Sequence, residues 1–438
     1  MTDVSLPLEP GRSALLRLDT ARVLKRFFHL ERALALACAG WVPGVARLES
    51  KALLAHASWQ DAMTAGSLRE RVFELRYPDR SLDTVGDEAQ LVRLFAAALH
   101  APSGGALLLG LARVLVPWLG ASYEAYLEAS DDVVDGPTRR FLRVAVEEKS
   151  AQGDELEAAG EAELRAGARP DAERWVEALG ALLVRLGGPG LDGPRPGVEV
   201  PDVVSPGRPF ALAQQPARDE RYFSCSFYWP DIVDPAWPYG EGLRLQLRSA
   251  VSHLNEVWAV ETAGAILVGL ADALGWDFVH DAARWLYDES RHMAMGRRRL
   301  EWWSLDPAEV PLGSYIYEAC RGQDAVTRLG MLAFFETKNI GRKRERADEL
   351  GRLGDRTSQR DMDFDWADEA IHTGYGRRWL RRALQASGRD PESWPEVVAR
   401  CEELVRERVA RATPEEVDAI RAQARRLIEI AERRAAAP

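Results

Sequence analysis

Two short phrases carry the residue types of a metal site. "DESRHMAMGRR" runs from Asp288 to Arg298 and "DEAIHTGYGRR" from Asp368 to Arg378, so Asp, Glu, His, Gly and two Arg recur at matching positions. In each phrase a glutamate precedes a histidine by three: Glu289 with His292, and Glu369 with His372. On a helix, positions i and i+3 share a face about one turn apart. A carboxylate oxygen and an imidazole nitrogen then reach the same point, and both are ligands for first-row metals. One such pair in a glutamate-rich chain is a common accident, worth at most a weak surface ion pair. Two pairs inside one repeated phrase require a common cause.

Glu-x-x-His from each of two helices, plus one glutamate from each of two others, is a six-residue ligand set for two metal ions in a four-helix bundle. The pattern therefore predicts a lone inward glutamate on each partner helix. Glu261, in "VWAVETAGAIL", and Glu336, in "MLAFFETKN", each interrupt an apolar run, and burying a carboxylate without a partner is costly. Depth agrees: Glu261 and Glu289 stand equally far before and after Gly275, roughly 20 Å down each arm of a hairpin. Glu336 stands about four turns before Gly351, and Glu369 lies at similar depth beyond the following loop. Glu256 falls on another face of the helix from Glu261, and reads as a surface group or one behind the ligands. Asp288 and Asp368 each precede a ligand glutamate. A metal-bound histidine usually gives its second N–H to a carboxylate, so each Asp is expected to orient the histidine of the opposite helix.

Four helices must position these residues. Apolar residues recur at three and four over 241–275, 276–303, 314–351 and 359–387. Between the second and third, residues 304–313 hold two prolines; fully extended they span roughly 30 Å, enough to run the length of a bundle. The rest of the chain divides around this bundle, which we place at 241–385. Residues 1–186 read as a first helical domain. Residues 187–240 hold ten of the 24 prolines and read as a linker or strap, because proline removes backbone donors. Its aromatic end offers Phe223, Tyr228 and Trp229 as candidates for a lid over a substrate. Residues 386–438 read as a charged tail of two amphipathic helices docked on the body.

The phrases "HLNEVWAVETAG", "DESRHMAMG", "FFETKNIG" and "DEAIHTGYG" resemble the ferritin-like di-iron carboxylate superfamily. Within it they look like an uncharacterised branch of bacterial proteins of unknown function. The resemblance covers about a third of the chain. It implies an all-α, ferritin-like four-helix bundle with a bridged di-iron centre that activates dioxygen, di-manganese being the alternative occupant. The ligands implied are Glu261, Glu289, His292, Glu336, Glu369 and His372, with Glu289 and Glu369 bridging. The first domain has similar helical texture, and Glu49, Glu124 and Glu148 fall where ligands would sit. It contains no Glu-x-x-His, and we expect a degenerate, metal-free copy of the bundle.

The expected activity is oxidation of a small organic molecule by dioxygen: hydroxylation, N-oxygenation or desaturation, with electrons from a separate reductase or ferredoxin. Iron or peroxide handling, as a ferroxidase, peroxidase or manganese catalase, is the alternative, followed by a non-catalytic scaffold with a structural metal. A net charge of −11 with no basic block argues against nucleic acid and anionic membranes. The apolar stretches 33–42 and 104–120 read as buried helices. No basic leader followed by an apolar run opens the chain, and four scattered cysteines fit a reducing cytoplasm. No nucleotide-binding or serine-nucleophile motif is present.

Overall fold

The structure, a computed structural model, describes residues 15–76, 78–80, 82 and 88–436. It is all-α apart from two short strands. Two compact units divide the chain: Met1–Ala37 with Gln60–Phe210, and Cys38–Trp59 with Ala211–Pro438. This differs from the domain boundaries read from sequence. The segment 38–59 belongs to the second unit, and the first half of the strap belongs to the first.

The first unit is built on α1 (Arg17–Trp41), α2 (Leu48–Leu75), α3 (Glu88–Ala96), α4 (Gly104–Gly110), α5 (Val116–Ala129), α6 (Gly136–Glu163) and α7 (Arg169–Leu186). The end of α1 and the start of α2 fall in the second unit. The apolar run from Gly104 to Ala129 is long enough to cross a membrane, as is Leu243–Leu274 in the second unit, but 72% of each apolar window is buried within the protein.

The second unit contains α8 (Leu243–Asn255), α9 (Val257–Leu274), α10 (Trp276–Trp302), α11 (Tyr315–Ala319), α12 (Ala325–Arg352), α13 (Arg356–Ala386), α14 (Trp394–Ala410) and α15 (Pro414–Ala435). Local chemistry sets the hairpins. Gly275 takes φ 77° between α9 and α10, where a side chain would be strained. The Asp324 carboxylate caps α12 by accepting from Thr327 N at 2.7 Å, and Asp355 caps α13 by accepting from Ser358 N at 2.9 Å. α12 packs along α13, α10 packs on α8 and α9, and α9 and α10 also meet α13. Two expected helices are interrupted. The stretch 241–275 breaks at Glu256, where the Asn255 amide donates both back to Val251 O and across to Pro311 O, and accepts from Gly313 N. The stretch 314–351 breaks before the Asp324 cap.

In the strap, β1 (Phe223–Ser224) pairs in parallel with β2 (Pro311–Leu312). Of the tail helices, α14 packs on α12 and α15 on α8.

Candidate metal centre

The four helical segments bring together Glu256, Glu289, His292, Glu336, Glu369 and His372. One set of ligand atoms, from Glu289, Glu336, Glu369 and His372, lies within 4.8 Å of one another; a second comes from Glu256, Glu289 and His292 at the same limit. Glu289 belongs to both. The i, i+3 spacing acts as expected: His292 Nδ1 lies 3.6 Å from Glu289 Oε2 on the same helix, and His372 Nδ1 lies 3.1 Å from Glu289 Oε1 across the interface. Glu336 Oε1 is 3.7 Å from His372 Nδ1.

Glu261 does not join them. It is fully buried elsewhere, with Lys51 Nζ at 3.0 Å and the Arg218 guanidinium forked onto both its oxygens. Depth along the hairpin says nothing about which way a helix face is turned, and here the rotation decides. A Cβ on Gly264, one turn beyond Glu261, would collide with Ala39 O, so this face of α9 is turned to the 38–59 segment. The fourth carboxylate is instead Glu256, at the break between α8 and α9, with Oε2 3.4 Å from His292 Nδ1. A signal for it existed: Glu256 stands to Glu336 in the sequence as Asp288 stands to Asp368, so the register that relates the two phrases also pairs these glutamates.

The repeated glycines explain how these helices approach. A Cβ on Gly296 would collide with Leu254 N, and one on Gly376 would lie 2.9 Å from the Ala333 Cβ. Neither helix pair can close at that distance around a side chain. Each contact is within one turn of a partner-helix glutamate, Glu256 or Glu336.

Behind the ligand atoms the aspartates are arranged crosswise. Asp368 Oδ2 is 3.3 Å from His292 Nε2, and Asp288 Oδ2 is 3.4 Å from His372 Nε2. Arg291 reaches both aspartates, at 2.5 and 3.0 Å, and Arg284 holds Asp288 at 2.7 Å. This leaves each Nδ1 facing the carboxylates. Neither Nδ1 makes a hydrogen bond, and neither does Glu256 Oε2, although all three atoms are buried. Buried polar atoms are rarely left so. Turned inward from opposite helices toward shared carboxylates, they fit the ligand shell of a cation.

Three further side chains complete the site. Trp285 Nε1 donates to Glu289 at 3.1 Å and to Glu336 at 3.0 Å. Its counterpart in the register of the repeat is Asp365, whose Oδ1 is 3.4 Å from His292 Nδ1. Lys343, on the inner face of α12, places its ammonium 2.6 Å from Asp365 and 2.8 Å from Glu369. Trp285 and Asp365 were legible as the i−4 neighbours of the ligand glutamates; nothing local marked Lys343 as buried.

The electrostatics are those of a crowded acidic site. Burial, then the Glu369 and Glu289 carboxylates, push the Glu336 carboxyl well above its ordinary range. Burial opposes charge on His372 too, yet Asp288 and Glu289 raise it to about 9. His292 is likewise raised against burial, by Asp365 and Asp368 first. Metal-free, the centre holds protons on its imidazoles that a bound cation would displace.

Two of the three lid candidates pack into the fold. Phe223 sits in β1, and Trp229 is 1% exposed in the core. Tyr228 lines a cavity of about 450 Å³. Of the candidates read in the domain 1–186, Glu49 lies in the second unit, paired with Arg221 and Arg297 at 2.5 and 2.6 Å. Glu124 is exposed and Glu148 is half-buried. The first unit's most deeply buried carboxylates are instead Glu31 and Asp61, ahead of Asp135 and Asp131.

No curated protein and no solved structure matches the chain. Residues 215–426, which contain every residue of the centre, match the model of a family described as "Protein of unknown function (DUF455)".

Proposed function

We propose that the second unit is a ferritin-like four-helix bundle that holds two iron ions and oxidises a small organic substrate with dioxygen. The observation that carries this reading is the pair of Nδ1 atoms, on His292 and His372, that make no hydrogen bond yet face shared carboxylates. One ion would be held by Glu289, Glu336, Glu369 and His372, and the other by Glu256, Glu289 and His292, with Asp365 and Glu369 in reach. When bound, the iron pair supplies the redox chemistry that activates dioxygen.

The chain's own contribution is geometric and protonic. Asp288 and Asp368 accept the Nε2 protons and so fix each tautomer with Nδ1 free to bind. Trp285 steadies two carboxylates from one N–H. Burial shields Glu289, His292 and His372 from bulk water. Electrons would come from a separate reductase or ferredoxin.

Lys343 favours a second reading, in which one metal sits with His372 and the lysine retains its place beside Glu369 and Asp365. Metal analysis separates the two. Anaerobic titration of chelator-treated protein with Fe(II) should reach about two ions per chain on the first reading and one on the second. Protein that takes up neither iron nor manganese sinks both.

A further inference from the structure

A cavity of about 450 Å³ opens beside the centre, within the roughly 300–1,000 Å³ of small-molecule sites. Its inner end is formed by Glu256, Asp365, Lys343 and His253, so it reaches the second ligand group directly. Its walls are aromatic, from Tyr228, Tyr239, Tyr315 and Phe335. Its outer part is basic. Lys338, Arg342 and Arg346 line it from one column of α12, at i, i+4 and i+8.

The charges of this lining are not equal in kind. Arg248 is committed to Asp231 at 3.0 and 3.2 Å, Arg406 lies 3.5 Å from Glu402, and Lys343 is held by Asp365 and Glu369. Among the described residues, no carboxylate stands within ion-pair distance of Lys338, Arg342 or Arg346. Glu345 and Glu349, on the same helix, do not line the cavity. In a chain of net charge −11, three uncommitted cations on one cavity wall are a local reversal of sign. A solvated helix face would interleave its acids among these bases; along this column none intervenes, whereas Arg344, on another face of the helix, shares a separate cleft with Asp348. The Arg346 guanidinium lies over the Tyr239 ring at 4.9 Å and the Lys338 ammonium over Phe334 at 5.0 Å, so both heads lie against aromatic rings at the cavity wall.

We propose that this cavity binds a small organic anion, a carboxylate or phosphate ester on an aromatic or apolar body. Sign fixes its orientation. The carboxylates at the inner end repel the acid group, which rests on Arg342, Arg346 and Lys338. The body lies along the tyrosine and phenylalanine walls and points its far end at Glu256. As an identification of substrate class this rests on the oxidative reading of the centre; as a statement about binding it does not.

The experiment is calorimetric titration of full-length protein, chelator-treated and iron-loaded, with 3-phenylpropionate and with phenyl phosphate. Neutral 3-phenylpropionamide is the control. We expect saturable single-site binding of the acids, about tenfold or more tighter than the amide, with the tighter acid naming the head group. Arg342→Ser with Arg346→Ser should weaken the acids by at least about tenfold. Arg356→Ser with Arg360→Ser, a basic pair outside the cavity lining, should leave them unchanged. Equal binding of the amide, no saturable binding of either acid, or indifference to the Arg342/Arg346 change overturns the inference. Iron measured in the same samples keeps the two readings apart. Iron-replete protein that ignores the acids sinks only this inference, and iron-free protein that binds them sinks only the metal centre.

Discussion

Each unit buries a group of carboxylates, and the two groups are neutralised differently. In the first unit, Lys149 Nζ stands 2.8 Å from Glu31 and 2.5 Å from Asp61. Tyr123 donates to Glu31 at 2.5 Å and Gln152 to Asp61 at 3.1 Å. Lys149 and Gln152 are three apart on α6, the relation that glutamate and histidine hold on α10 and α13. No buried polar atom of these five side chains lacks a hydrogen bond. In the second unit, Glu256, Glu289, Glu336, Asp365 and Glu369 surround three imidazoles, of His253, His292 and His372, with one ammonium, Lys343, and buried atoms are left without hydrogen bonds. A lysine carried by the chain, with one proton, closes the first cluster. The second leaves a deficit of positive charge that only protons or added cations can meet. A helical frame can thus house a finished ion-pair core or an unfinished one, and the unfinished one is where to expect chemistry.

The largest effect should come from Glu289, which touches both ligand groups. Glu289→Ala should reduce iron from about two per chain to near none, and the iron-dependent rise in Tm should vanish with it. Full iron content in this variant would end the contrast between the two clusters. Next in size is Lys149→Met. Leaving Glu31 and Asp61 buried without their cation should cost about 3–5 kcal/mol in urea unfolding, while iron content stays at the wild-type value. If iron rose by an ion per chain instead, the first cluster would be a metal site held shut by its lysine.

A smaller pair of changes tests the reassigned carboxylate. Glu256→Gln should lower iron from about two to about one, because His292 loses a neighbouring ligand. Glu261→Gln should leave iron unchanged but weaken the fold by about 1–3 kcal/mol, since Lys51 and Arg218 lose a charged acceptor. The opposite assignment of the two phenotypes would return Glu261 to the centre.

That reassignment shows what the sequence could and could not carry. Helix class, the turn at Gly275, and the pairing of Glu289 with His292 and of Glu369 with His372 are local properties, written in periodicity and punctuation; the second turn, read at Gly351, falls at Gly354, because α12 runs on to Arg352. The rotation of α9 is not local. Glu256 and Glu261 are both carboxylates in an apolar neighbourhood, and only the packing of α9 on the 38–59 segment decides which faces the centre. The register of the repeat was the better guide, because a repeat preserves orientation as well as spacing. It pairs Glu256 with Glu336 and Trp285 with Asp365. Lys343 breaks the register, since Ala263 stands at its counterpart; an asymmetry of that kind is visible only once α12 is placed. In the first unit, no glutamate-histidine motif existed to find, and the lysine that closes the cluster reads as an ordinary helix cation.

The smallest expected effect concerns the proton balance of the closed cluster. One ammonium cannot neutralise two buried carboxylates, so one of them should keep a proton. Burial, reinforced by Asp61 and only partly offset by Lys149, raises the Glu31 carboxyl from 4.5 to about 8. The folded chain therefore holds a proton that the unfolded chain has released. The stability this proton contributes is complete below about pH 4.5 and is lost as the pH rises through about 8. Glu148, half-buried beside the cluster and also raised by burial, would add a slope of the same sign. Comparison with Glu31→Gln isolates the buried group, because the amide presents an uncharged head at every pH. The urea midpoint of the wild type should fall relative to the variant between about pH 5 and pH 8. A difference that stays flat across this range would place the proton elsewhere. The first cluster would then carry an uncompensated negative charge, and the contrast with the second would rest on hydrogen bonding alone.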